Sequence, residues 1–399
     1  MATHNAVIEI TDSKVRLIIG NVVDGKPVIC YAIEKPIYGM VSRGEIIEYN
    51  RLIQTISSLA HIHDEDVKLN LNVSEAYVIL PPIGFEVFET NKVTNVVSPT
   101  SIIESIDIRN VMSLVKKEIV PPGQAIVDII PDAFILEGDR SFANPPIGEK
   151  SNSITLYTKI HTLPSRLLAS YTNAVRNSQI RPSRSLLAPY CLCEYIKTNN
   201  EYPKNYILVD CNAGYSSISL IGNSTPFSSD HVLLGYNDLV LKISQAFQIT
   251  EEKAKEVLDT YGLDERNITF NPVIVSSQDE FGHEIDFVQD DLNKLIREFT
   301  TEFLKQLDSC YLTLLTGYSE EVRKLPIVVT GELINVHGIK KVLESHFANS
   351  DEVIFVSSDI VGARGPEFAT CVGALLIGGS FKGSLSEERA KVSELNRVE

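Results

Sequence analysis

Apolar positions along this chain gather into short runs closed by an acid and a polar turn, and two such blocks far apart resemble each other. "AVIEITDSKVRLIIGN" at 6–21 and "YILVDCNAGYSSISLIGN" at 206–223 each read as an apolar strand, an acid, a polar turn, a second apolar strand and a Gly-Asn turn. A third strand follows each block, "KPVICYAIE" in the first and "DHVLLG" in the second. The pairing predicts duplicated halves, each opening with a strand meander. Helical spacing comes next, as in Leu52, Ile53, Ile56 and Leu59, while "EAYVILPP" and "LPIVVTG" supply further buried strands. Each half therefore reads as α/β.

From about residue 83 to residue 163 the texture changes, with Pro-Pro at 81–82, 121–122 and 145–146 dividing strand ("GFEVFET"), helix ("IRNVMSLVKKEIV") and strands ("AFILEG", "SITLYTKIHTL"). This predicts an inserted subdomain. Helices are expected again at "PSRLLASYTNAVRNS" and "RSLLAPYCLCEYIK", and 231–324 reads as largely helical, through "YNDLVLKISQAF", "TEEKAKEVLDTYG" and "DDLNKLIREFTTEFLKQLDSCYLTLL". The expected division is 1–83 with 164–203 as a first core, 84–163 as the insertion, 204–230 with 325–381 as a second core, 231–324 as a helical subdomain and 382–399 as a charged tail.

A chain of 399 residues has room for two to four such units. Asp and Glu outnumber Lys and Arg by 52 to 36, so nucleic acid or an anionic bilayer would meet net repulsion, and no nucleic-acid partner is expected. The N-terminal stretch has no signal-peptide pattern and no run reaches membrane-span length, which predicts a cytoplasmic protein. Of six cysteines, only Cys191 and Cys193 lie close together; a C-x-C pair without a second pair reads as buried thiols in a helix. In "HIHD", His61 and His63 would share one face of a strand, but no third metal ligand follows at a recognisable spacing.

Two strand–turn–strand units that each carry an acid, followed by a late strand ending in "TG", resemble the actin/Hsp70/sugar-kinase ATPase superfamily. Within it the chain is similar to the FtsA family of bacterial actin-like cell-division proteins. The resemblance runs through "VIEITDSKVRLIIG", "YGMVSRGEI" at 38–46, the insertion, "LVDCNAGYSSISL", "IVVTGELINVHGI" and "EFATCVGALLIGG", and spans nearly the whole chain. It implies an α/β, actin-like two-lobed fold with duplicated ribonuclease-H-like cores and an FtsA-type inserted α+β subdomain in the first lobe.

In that family two glycine-rich turns clamp the phosphates of ATP through backbone N–H groups, and strand-end acids hold Mg²⁺ through water. The residues carried over are Glu9, Ser13 and Lys14 in the first turn, Asp210, Asn212 and Gly214 in the second, and Gly331 in the third, with Asp210 organising the metal if ATP binds. Several neighbours depart from the pattern. Thr11 and Asp12 replace a glycine and a hydroxyl donor, and a carboxylate 4 Å from a phosphate charge costs about 4 kcal/mol at an effective dielectric of 20. In the second turn Asn212 and Ala213 stand for glycines, Tyr215 for a threonine and Ser217 for an acid. The family's Ala-Glu-x-x-Lys helix pattern falls on Ala254, Lys255 and Leu258, and Glu332 follows Gly331. Four altered elements around one cleft imply a scaffold that has lost its nucleotide, with no cofactor; the alternative keeps ATP and Mg²⁺ in a remodelled site with slow or no hydrolysis. No catalytic residue is expected.

The resemblance further implies actin-like protofilaments joined through 84–163, and a site for the C-terminal tail of the tubulin-like protein FtsZ on 231–324, where Lys294 and Arg297 could meet an acidic peptide. It places the protein at the division site near the inner face of the membrane. The tail carries only a thin apolar stripe, Leu385, Val392, Leu395 and Val398, so membrane attachment is expected to be weak or through a partner. Two other readings are a sugar or acid kinase, which needs intact phosphate turns, and a pilus-assembly relative that binds a short peptide of a membrane protein.

Overall fold

The computed structural model describes residues 5–64, 69–199, 201–264, 271–278 and 281–378. Two five-stranded sheets share one topology. The first is built from β1 (Asn5–Ile10), β2 (Lys14–Val23), β3 (Lys26–Pro36), β4 (Glu75–Leu80) and β5 (Arg181–Leu187), in the order β5-β4-β1-β2-β3. The second is built from β6 (Tyr206–Cys211), β7 (Ser216–Gly222), β8 (Thr225–Val232), β9 (Ile327–Thr330) and β10 (Val353–Phe355), in the order β8-β7-β6-β9-β10. In both, the first three strands form an antiparallel meander and the last two join parallel to the first. Every residue of β1 and β6 is buried, which is why their sequences are near-continuous apolar runs and not alternating ones.

One core joins the two sheets. Val7, Ile18 and Ile79 of the first pack with Tyr206, Leu208 and Val328 of the second, around the helix Ala188–Ile196 and the helical stretch 369–378. A second core buries the other face of the second sheet against the helices Tyr236–Phe247, Glu251–Tyr261 and Gln289–Leu314, through Leu239, Leu258, Ile296 and Phe303. Each such side chain contributes about 1.5–3 kcal/mol by leaving water.

Residues 83–170 form a separate compact unit. Its antiparallel sheet runs Arg140–Phe142, Gln124–Leu136, Ser153–Pro164, Glu86–Asn95, and the helix Ser105–Val115 covers one face through Val111 and Val115.

Three expected elements differ. "RSLL" is the end of strand β5, not the start of a helix: Leu186 and Leu187 pair with β4, and the helix starts at Ala188 with Pro189 in its first turn, the position where a missing N–H costs nothing. The third strand of the second half starts at Thr225 and stops at Val232. Within 231–324 the strands Val273–Gln278 and Glu284–Val288 form a hairpin. The segment "HIHD" is a strand paired with Leu69–Asn72, but its side chains, like the whole of 382–399, lie outside the described residues.

Candidate functional site

The ends of β1, β6 and β9 bring three turns together. The first turn is closed by its own side chain: the Thr11 hydroxyl accepts from the Lys14 N–H (3.1 Å) and the Ser13 N–H (3.4 Å), as short hydroxyl side chains do in tight turns. Asp12 next to it is buried. Its Oδ1 accepts the Gly44 N–H at 3.0 Å and its Oδ2 the Arg43 N–H. Arg43 and Gly44 have φ of 51° and 73°, so their amides turn toward one point. Burial pushes the Asp12 carboxyl up, and the two amides pull it back.

In the second turn Asn212 donates through Nδ2 to Asp210 Oδ2 at 2.7 Å. Asp210 is buried, which drives its pKa to about 7 against the pull of Asn212, with Glu9 adding to the rise. The Asn212 and Ala213 carbonyls accept the N–H groups of Tyr236 (3.1 Å) and Asn237 (2.8 Å) at the head of the following helix. Gly214 faces Asp12, and a Cβ on it would lie 2.7 Å from Asp12 Cβ and closer still to the carboxylate. The third turn needs glycine for a different reason: Gly331 has φ of 100°, and a Cβ there would stand 2.6 Å from the Cys211 backbone N.

At the centre is Arg16, 1% exposed. It donates to Glu9 (Nη1, 3.0 Å), Glu34 (Nε, 3.2 Å) and Glu332 (Nη2, 2.5 Å), and its guanidinium lies 5.7 Å from the Phe368 ring centroid. Burial works against its charge, but the three carboxylates outweigh that and hold it protonated. Glu9 also accepts from Cys371 Sγ at 3.3 Å, and burial raises its pKa while Arg16 opposes the rise. Burial would raise Glu34 as well, yet Arg16 and Lys14, whose Nζ is 2.7 Å away, bring it down overall. Ser13 Oγ donates to Glu332 at 3.3 Å.

All seven carried-over residues, Glu9, Ser13, Lys14, Asp210, Asn212, Gly214 and Gly331, therefore belong to this one set of turns. Lys294 and Arg297 do not. They are exposed on the helix Gln289–Leu314. Ala254 and Leu258 are core residues, and Lys255 places its Nζ 5.3 Å from the Tyr38 ring centroid. Sequence reading missed Arg16 and the Arg43 and Gly44 amides. The signal for Arg16 was its place in the strand register, directly opposite Glu9 on one side and Glu34 on the other.

Between the turns a cavity of about 20 Å³ is lined by Glu9, Asp12, Asp210, Asn212, Tyr215 and Pro81 among others. That is space for one water molecule. Among the described residues no group of three or more His, Cys, Asp and Glu is arranged to hold a metal ion, and no helix is long and apolar enough to cross a membrane.

Paired sheets of this topology with turns converging at their strand ends define the actin-like fold. Solved structures agree. The PilM–PilN type IV pilus biogenesis complex aligns over 95% of this chain and 99% of that one, with a TM-score of 0.62 and 14% identity. MreB5 of Spiroplasma citri bound to ADP aligns over 96% and 98%, with a TM-score of 0.56 and 10% identity. Sequence relatives narrow the class. Cell division protein FtsA of Bacillus subtilis is 23% identical over 384 residues, 92% of this chain and 82% of that protein, and other relatives with the same name follow. No family model matches the chain. The chain is a divergent FtsA-like protein with an actin-like fold.

Proposed function

We propose that this chain is a cell-division scaffold of FtsA type that assembles and binds its partner without a nucleotide. The observation that carries the reading is the crowding of the turns by acids: Asp12 lies against Gly214, and Glu332 is tied to Arg16. The residues present do not fit a nucleoside triphosphate, whose phosphates need donors where these turns present carboxylates. Arg16 is taken up by three acids, and Lys14 is 2.7 Å from one of them.

Function then rests on surfaces. Residues 84–163 are the proposed contact between protomers in a filament, and 231–324 the proposed seat of the FtsZ C-terminal tail, with Lys294 and Arg297 as its positive points. That segment is acidic overall, 18 Asp and Glu against 9 Lys and Arg, so a double charge reversal there should be felt strongly by an acidic peptide. The proposed location is the division site, at the inner face of the membrane, reached through a partner or the terminal tail.

Fluorescence anisotropy with a labelled FtsZ C-terminal peptide tests this. Saturable binding is expected, unchanged by ATP with Mg²⁺ and weakened at least tenfold by Lys294→Glu with Arg297→Glu. The likeness in fold to the PilM–PilN complex supplies the second reading. Binding of a short peptide from a pilus membrane protein, with none of the FtsZ tail, would replace the division reading by that one. Saturable micromolar ATP binding, abolished by Asp210→Ala, would refute the nucleotide-free reading.

A further inference from the structure

Asp12 was expected only to repel phosphate, yet it has a seat of its own. Two consecutive left-handed residues, Arg43 and Gly44, direct their N–H groups at its two oxygens, the backbone concavity that binds anions in proteins generally. Tyr171, fully buried, supports that seat by donating from its hydroxyl to the Gly44 carbonyl at 2.9 Å. On its other side the carboxylate lies in the notch left by the missing Cβ of Gly214. Gly214 is not in the left-handed region, so its backbone would accept alanine; the three atoms nearest a methyl group there all belong to Asp12.

We propose that Asp12 is a tethered anion, seated on the Arg43 and Gly44 amides and against Gly214, that latches the first half of the core to the second, and that its removal exposes a seat for a small free oxyanion such as phosphate or acetate. The latch takes the place that a bound phosphate would fill between the turns, so it rests on the nucleotide-free reading of the cleft, though not on the identity of the partner.

A double-mutant cycle with Gly214→Ala and Asp12→Gly tests the contact by equilibrium unfolding. Gly214→Ala alone should lower the folding equilibrium constant at least tenfold, because its methyl group meets the carboxylate. In the Asp12→Gly background, which has no side chain at 12, it should cost less than twofold. The single Asp12→Gly protein should gain thermal stability saturably from inorganic phosphate or acetate at constant ionic strength, and the wild type should not. Equal costs of Gly214→Ala in both backgrounds, or no anion effect on Asp12→Gly beyond that of chloride, would overturn the proposal. If Asp12→Gly does not fold, Asp12→Asn serves: hydrogen exchange at the Arg43 and Gly44 amides should quicken at least tenfold, and an unchanged rate overturns the latch. ATP titration of the wild type separates the failures, since a flat titration with an uncoupled cycle sinks the latch alone, whereas saturable ATP binding sinks the reading beneath it.

Discussion

Replacing Arg16 by methionine keeps an unbranched apolar stem beside Phe368 and removes the charge on which Glu9, Glu34 and Glu332 converge. Arg16 is 1% exposed and the three carboxylates have side-chain exposures of 10%, 22% and 13%, so little solvent is on hand to replace it. Deleting one partner of a buried ion pair costs about 3–5 kcal/mol, because the charge left behind is uncompensated, and here three are left behind. The upper part of that range is expected at pH 8. Proton uptake should then reduce the cost on acidification. Burial already raises Glu9, with Arg16 pulling it back; without Arg16 its folded pKa rises further above the unfolded value near 4.3. A carboxyl raised in the folded state contributes stability that is full below the unfolded pKa and is lost as pH climbs through the folded one. Glu34, held down by Arg16 and Lys14 against its burial, contributes in the opposite sense, above its unfolded pKa, and much of that contribution goes with the arginine. The Glu9 shift makes the deficit of Arg16→Met smaller at pH 5 than at pH 8, while the Glu34 contribution, nearly complete at both pH values, is lost about equally at each. Urea unfolding by circular dichroism at the two pH values, with hydrogen exchange in β1 and β6 to isolate this unit from residues 83–170, gives the numbers. Adding Glu332→Gln should recover about 1–2 kcal/mol, roughly one charge-assisted hydrogen bond's worth of imbalance. A cost below about 1 kcal/mol at pH 8, or one independent of pH, would show that the arginine is not what holds the three acids.

Asp210→Asn should stabilise the protein at high pH. The folded pKa of about 7 lies some three units above the unfolded value, so wild-type stability falls by about 2–3 kcal/mol between pH 5 and pH 8 from this group, and the variant should lack that part of the slope in the same unfolding series. Gly331→Ala should cost about 2–4 kcal/mol, from a positive φ together with the close approach to the Cys211 backbone, read as a lowered unfolding midpoint; a cost within error of zero would mean that the third turn is free to move.

What the sequence made legible followed from burial. β1 and β6 are enclosed on both faces, so their runs stand out from any context, and the polar turn after each acid marks where enclosure ends. Duplication was legible for the same reason, since matching burial selects matching residues in both halves. β5 was hidden because "RSLL" carries no alternation and sits directly before a helix; its strand state comes from pairing with β4, a partner about a hundred residues earlier. The hairpin at Val273–Val288 has exposed and half-buried residues on both strands, so it offers no clean period. Arg16 looked like an isolated charge in "KVRLIIG". Only the register that sets it between Glu9 and Glu34 makes it the centre of the site.

The changes in the three turns also explain one another. A phosphate-binding cleft is a set of backbone donors that face inward, and buried donors cannot be left without acceptors when the ligand is lost. Thr11 supplies a hydroxyl to the first turn's amides, and Asp12 supplies a carboxylate to those of Arg43 and Gly44. Asp12 and Glu332 stand near the strand-end acids Glu9 and Asp210, and a cation is needed to offset so much negative charge in one buried place. Arg16 is that cation, and Glu332 of the third turn accepts from its Nη2 at 2.5 Å. On the proposed nucleotide-free reading, the side chains of the three turns satisfy one another, so the cleft would have to be reopened at several positions together before a phosphate finds donors free to receive it.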